Sequence, residues 1–203
     1  MASEMRGLDC SLPGRGRSDP EGRILIAHHL ILYGYGHLFP SHSRGGIQDA
    51  LRREKSADFR PVRDAGKRGR SPFPLVWFDE AKRRAVGAAF AEVVRRKRYT
   101  VWACAVLDNH AHLCVRTHRE NAEAMRQEFV EESQGQLRLF SDVADNHPIW
   151  SNWLRVLSLC TPGAVRRAAS QIAESPVKEG LAPQHWPFIQ PYEGWPYPEP
   201  AKA

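Results

Sequence analysis

Long apolar runs are missing from this 203-residue chain, which leaves no candidate for a membrane-spanning segment. Cysteine is scarce. Cys10, Cys104, Cys114 and Cys160 show no C-x-x-C spacing, so neither a disulfide framework nor a zinc knuckle is expected. Cys104 and Cys114 fall in apolar stretches and read as small core residues. The opening stretch, Met1–Arg23, has no apolar segment of the signal-peptide kind and is rich in Gly, Pro and Arg. Residues 1–22 therefore read as a flexible leader, and a cytoplasmic location is the default expectation. There is no internal repeat.

What is present is an ordinary composition for a globular protein, 42% apolar and 26% charged, with a formal charge of +6. The charge is unevenly spread. Between Arg44 and Arg70 there are nine basic residues (Arg44, Arg52, Arg53, Lys55, Arg60, Arg63, Lys67, Arg68, Arg70) against four acidic ones. A basic, glycine-containing insertion at 41–74 suits a phosphate backbone; it is equally compatible with a solvated loop that has no partner.

Hydrophobic periodicity orders the rest. Arg23–Tyr33 is a β-rich apolar run that reads as a buried strand, ended by Gly34-Tyr35-Gly36. Asp79 is a good N-cap, and Ala81, Ala85, Val86, Ala89, Phe90, Val93 and Val94 recur at helical spacing to about Arg98. Tyr99–Leu107 and His110–Thr117 flank Asp108-Asn109 and read as a hairpin. A second helix fits Glu120–Gln136, and a short strand fits Leu154–Leu159. Thr161-Pro162 begins a third helix, expected to stop near Glu174 because proline disfavours helix in the residue before it. Residues 182–203 form a Pro/Trp-rich tail that should pack irregularly on a domain spanning 23–181. The order implies an α+β, ferredoxin-like antiparallel sheet with its helices on one face.

The most informative triplet is His110-Ala111-His112. In a strand the i and i+2 side chains share a face, so both imidazoles point the same way. That geometry suits two ligands of one divalent cation. His28 and His29 alternate on the first strand, so one of them at most faces that side, and each reads as a core or sheet-face histidine. Asn109 reads as a turn residue, and Trp150, Trp153, Trp186 and Trp195 read as core or tail anchors.

Three stretches, in order, resemble the REP-associated tyrosine transposases, the single-tyrosine branch of the HUH endonuclease superfamily. They are His29-Leu30-Ile31-Leu32-Tyr33-Gly34-Tyr35-Gly36-His37-Leu38-Phe39-Pro40, then Asn109-His110-Ala111-His112-Leu113, then Ser175-Pro176-Val177-Lys178-Glu179-Gly180-Leu181 with Trp186-Pro187-Phe188. The resemblance implies an HUH fold that binds single-stranded or hairpin DNA. It also implies Mg²⁺ or Mn²⁺ held by His110, His112 and an amide, and a tyrosine on the last helix that attacks a phosphodiester in DNA transposition. A homodimer is compatible with such a protein.

Two positions depart from that pattern. The residue aligned with the nucleophilic tyrosine is Gln171, and the residue aligned with the amide ligand is Ser175. They lie four apart on one helix, so they share a face expected to look toward His110 and His112. An amide cannot form the phosphotyrosine intermediate, and a serine hydroxyl replaces an amide carbonyl poorly on a hard cation. One reading is a DNA-binding protein with a degenerate centre. A second is a rearranged site: Gln171 ligates the metal, and water or another tyrosine (Tyr33, Tyr35, Tyr99, Tyr192 or Tyr197) attacks. A third is a structural or protein-binding domain without nucleic-acid activity. Lys178, just beyond the expected end of the helix, is either a phosphate contact or a solvated side chain.

Overall fold

A computed structural model describes residues 24–37, 73–140 and 146–196. The leader 1–22, nearly all of the basic insertion and Tyr197 lie outside the described residues. Four strands and three helices follow in the order β1 (Ala27–Gly34), α1 (Glu80–Lys97), β2 (Val101–Val106), β3 (His110–Arg116), α2 (Ala122–Phe140), β4 (Trp150–Leu159) and α3 (Pro162–Lys178). The sheet is antiparallel with strand order β2-β3-β1-β4. This is the ferredoxin-like arrangement, two split β-α-β units interleaved. No helix among the described residues is long and apolar enough to cross a membrane.

The α+β architecture is as the periodicity implies, but the helices do not all lie on one face. Along β3, Ala111, Leu113 and Val115 point to a core built with Val86, Phe90 and Val93 of α1 and Met125, Phe129 and Leu137 of α2. Cys114 points the other way, into a second core with Val165, Ala168 and Ile172 of α3. Period-two alternation therefore puts α1 and α2 on one face and α3 on the other. The sheet is buried on both sides, which is why its strands read as continuous apolar runs.

Boundaries follow local chemistry. Asp79 caps α1 by accepting from the Lys82 N–H at 2.9 Å, and Arg98 closes it in the left-handed region at φ 56°. Helix α2 starts later than expected because Asn121 is its cap, accepting from the Ala124 N–H at 2.8 Å; Glu120 instead bonds the Tyr99 hydroxyl. It also runs past Gln136, burying Leu137. Strand β4 begins four residues before Leu154, because Trp150 pairs with Gly34 and its indole N–H reaches Ser133 Oγ at 2.9 Å. Helix α3 does not stop before Pro176. Proline there removes only the bond to the Ile172 carbonyl, and its buried ring packs while the Leu181 N–H bonds its carbonyl at 2.8 Å.

The segment after α3 covers both ends of the β2 edge. Ile189 bridges Val101 in parallel, and the Gln190 N–H bonds the Val101 carbonyl at 2.9 Å. Further along, the Gln184 amide donates to the Val106 carbonyl and accepts from its N–H, at 2.6 and 2.9 Å. A side chain thus satisfies the edge groups that another strand would take. Trp186 packs over Gly87 of α1, where a Cβ would lie 2.0 Å from the indole. Gly87→Ala should therefore destabilise the fold by about 1–3 kcal/mol through overpacking, although alanine is the better helix former by about 1 kcal/mol. Urea unfolding of Gly87→Ala with and without Trp186→Ala tests this, with much of the loss recovered in the double variant.

Candidate functional site

The Asp108-Asn109 turn is clamped from three sides. The Gly34 N–H bonds the Asn109 carbonyl at 2.7 Å, the Phe78 N–H bonds the Asp108 carbonyl at 2.6 Å, and Arg83 grips the Asp108 carboxylate at 2.5 Å. Gly34 suits this approach, since a Cβ would sit 3.0 Å from the Asn109 oxygen, closer than most such contacts. The clamp sets where β3 begins, and hence where His110 and His112 stand.

Register then assembles a histidine cluster on the α3 face. Tyr33 lies opposite His110, Ile31 opposite His112 and His29 opposite Cys114. The rings of His110 and His112 have centroids 4.7 Å apart, and those of His29 and His112 are 5.1 Å apart. His29 Nε2 and His112 Nδ1 meet at 2.9 Å, one donating and the other accepting. His110 Nδ1 donates to Asn109 Oδ1 at 2.5 Å, so Asn109 does more than turn the chain. Tyr33 stands beside His110 at 6.1 Å between ring centroids. Of the two β1 histidines, His29 faces the cluster and His28 the opposite side; only pairing with β3 decides between them.

All three rings are buried and neutral at pH 7. Burial lowers His29 to about 4, with the charge of Arg155 adding to it. Burial lowers His110 to about 3, with smaller contributions from His37 and His29. Burial also holds His112 well below the usual imidazole value, helped by His110, His29 and Arg155.

The third helix packs on this face, but the ligand set implied by the resemblance is incomplete. Gln171 and Ser175 are both half-buried on α3. The Ser175 hydroxyl donates to the Gln171 carbonyl at 2.7 Å and so is engaged with its own helix. The nitrogen that His29 presents to the pair is engaged by His112. Among the described residues no group of three or more His, Cys, Asp or Glu is placed to hold a metal ion. Two neutral imidazoles fall short of the oxygen-rich shell that Mg²⁺ or Mn²⁺ demands, so the donors in place do not fit that cation as a complete site.

Of the basic residues expected to contact DNA, Arg44, Arg52, Arg53, Lys67, Arg68 and Arg70 lie outside the described residues. Lys178 is exposed and paired with Glu174 at 2.6 Å. Trp150 is buried, Trp186 and Trp195 are half-buried, and the side chain of Trp153 lies outside the described residues. Among the described residues the exposed tryptophan is instead Trp77, 48% accessible and edge-on to His37 at 4.5 Å. Glu179, directly after α3, was also missed. Partial desolvation raises the carboxyl of this exposed residue to about 7, and the charge of Asp108 contributes, because the end of α3 lies near the clamped turn.

No family model matches the chain, and no curated protein matches it. Among solved structures it is similar to a REP-associated tyrosine transposase bound to a REP hairpin. The identity is 14%, the TM-score is 0.45, and 92% of this chain and 81% of that chain are covered. At that score the likeness bears on neither activity nor substrate.

The neutral cluster implies a pH dependence of stability. Unfolded histidines titrate near 6.5, while His29 and His110 in the fold titrate at about 4 and about 3. The unfolded chain therefore binds more protons as the pH drops from about 6.5 toward 3, and stability is lost over that window. The expected slope is roughly 1 kcal/mol per pH unit for each histidine. Urea midpoints between pH 7 and 4 check it, and His110→Asn should flatten the slope.

Proposed function

We propose that this protein is a transposase-like DNA-binding protein of the HUH type, which holds single-stranded or hairpin DNA and has lost tyrosine-mediated strand transfer. The observation that carries the reading is Gln171, an amide where the resemblance expects the nucleophile, on a helix packed over the histidine face. A carboxamide has no acidic hydroxyl with which to make a phosphoester. The Ser175 hydroxyl, turned to the helix backbone, removes the neighbouring ligand from the same centre. Binding does not need that chemistry. It needs cations for phosphates, which the 44–70 segment supplies in number, with Lys178 a further candidate.

A labelled hairpin oligonucleotide with Mn²⁺ tests both halves. The expected result is a complex that weakens at least ten-fold between 50 and 200 mM salt, with no covalent adduct. Negligible, salt-insensitive binding would remove the DNA reading and favour a structural or protein-binding domain. An adduct, on Tyr33 beside His110 or on any other residue, would show that strand transfer persists. Cleavage leaving free ends would point to attack by water.

A further inference from the structure

One cation on the α3 face, Arg155, has no counter-charge among the described residues. Arg155 lies in β4 opposite Ile31 of β1, which is itself opposite His112 of β3. Directly opposed residues share a face. His112, Ile31 and Arg155 thus form one row across three strands spaced about 4.8 Å apart. His29, bonded to His112, is two residues from Ile31 along β1 and faces the same way.

Several other arginines of this fold are tied down, and Arg116 lies over the Trp195 ring at 3.9 Å. Arg83 holds Asp108, Arg96 holds Glu128 and Glu132, and Arg126 holds Glu123 and the Ser151 carbonyl. Arg155 is half-buried, and among the described residues no carboxylate or carbonyl pairs with it. A guanidinium drawn out of water without a counter-charge is unfavourable until an anion meets it. The imidazoles that share its face are neutral, and the positive charge of Arg155 helps to keep His29 and His112 in that state. They offer hydrogen bonds but no compensating charge.

We propose that Arg155 binds a phosphate of the DNA strand at the β4 border of the His29–His112 pair, an assignment that rests on the DNA-binding function above. The guanidinium fork matches two non-bridging phosphate oxygens, and a bound phosphodiester supplies the missing negative charge. The strand then runs along the border between β4 and the histidine cluster, on the face that α3 occupies.

Binding of a labelled single-stranded oligonucleotide across 50–200 mM salt tests the assignment. Arg155→Gln should weaken binding roughly ten-fold at low salt and reduce the slope of log affinity against log salt by about 0.7, one phosphate contact. Arg155→Lys should keep the slope and lose affinity several-fold, because the fork is gone. Arg138→Gln, at an exposed position near the end of α2, should change neither quantity. An unaltered slope in folded Arg155→Gln overturns the proposal while leaving the DNA-binding function standing.

A titration of wild-type protein with inorganic phosphate, followed by the ring signals of His29 and His112, decides the matter if Arg155→Gln does not fold. Shifts are expected in the wild type, and their absence overturns the proposal. Ring shifts with phosphate in a protein that ignores every oligonucleotide overturn the strand as the source of the phosphate, together with the DNA-binding function itself.

Discussion

The antiparallel register between β1 and β3 is the constraint on which the rest depends. It sets Tyr33 against His110 and brings His29 beside His112. Because side chains alternate with a period of two, a slip of one residue would send His110 and His112 to the α1–α2 side and Ala111 and Leu113 toward α3. The protein resists that slip by clamping the hairpin turn to the end of β1 and to the residue before Asp79. Glycine at position 34 permits the approach, and Arg83 holds the turn's carboxylate. Backbone bonds, a missing side chain and an ion pair thus all serve the placement of two imidazoles.

Both faces of the sheet are buried, and they are not alike. The face toward α1 and α2 is filled with large apolar side chains such as Phe78, Phe90 and Phe129. The α3 face mixes alanines and Cys114 with three imidazoles and the guanidinium of Arg155. The dehydrated imidazoles are tolerated there because they are uncharged and bonded to one another or to Asn109. The arrangement is one of hydrogen bonding more than of ionic pairing, and its neutrality follows from burial before any neighbouring charge.

Much of the fold was legible in the chain. Asp79 and the apolar spacing after it gave both ends of α1, and the alternation around His110 gave a shared face for the pair. Legibility failed where tertiary contacts override local preference. Pro176 signalled an end to α3, yet the helix continues because a buried ring and a single lost hydrogen bond are tolerated in the last turn. The helices divide between faces because a sheet apolar on both sides needs covering on both, which residue order does not reveal. His29 could not be told from His28 until β1 was paired with β3. Arg155 and Trp77 have no sequence signal, and Glu179 is marked only by its place in the Ser175–Leu181 stretch, since their importance arises from the neighbours that the fold gives them. The basic segment 44–70 was legible as charge alone.

The tail across β2 has a consequence for how copies of the sheet can meet. Ile189, Gln190 and the Gln184 amide occupy hydrogen-bonding groups at both ends of that border, on Val101 and Val106. Among the described residues nothing pairs with the outer side of β4. Within the described residues the β4 margin is therefore the freer of the two. If two chains join there margin to margin, the partly covered β2 borders face outward, which disfavours growth beyond a pair.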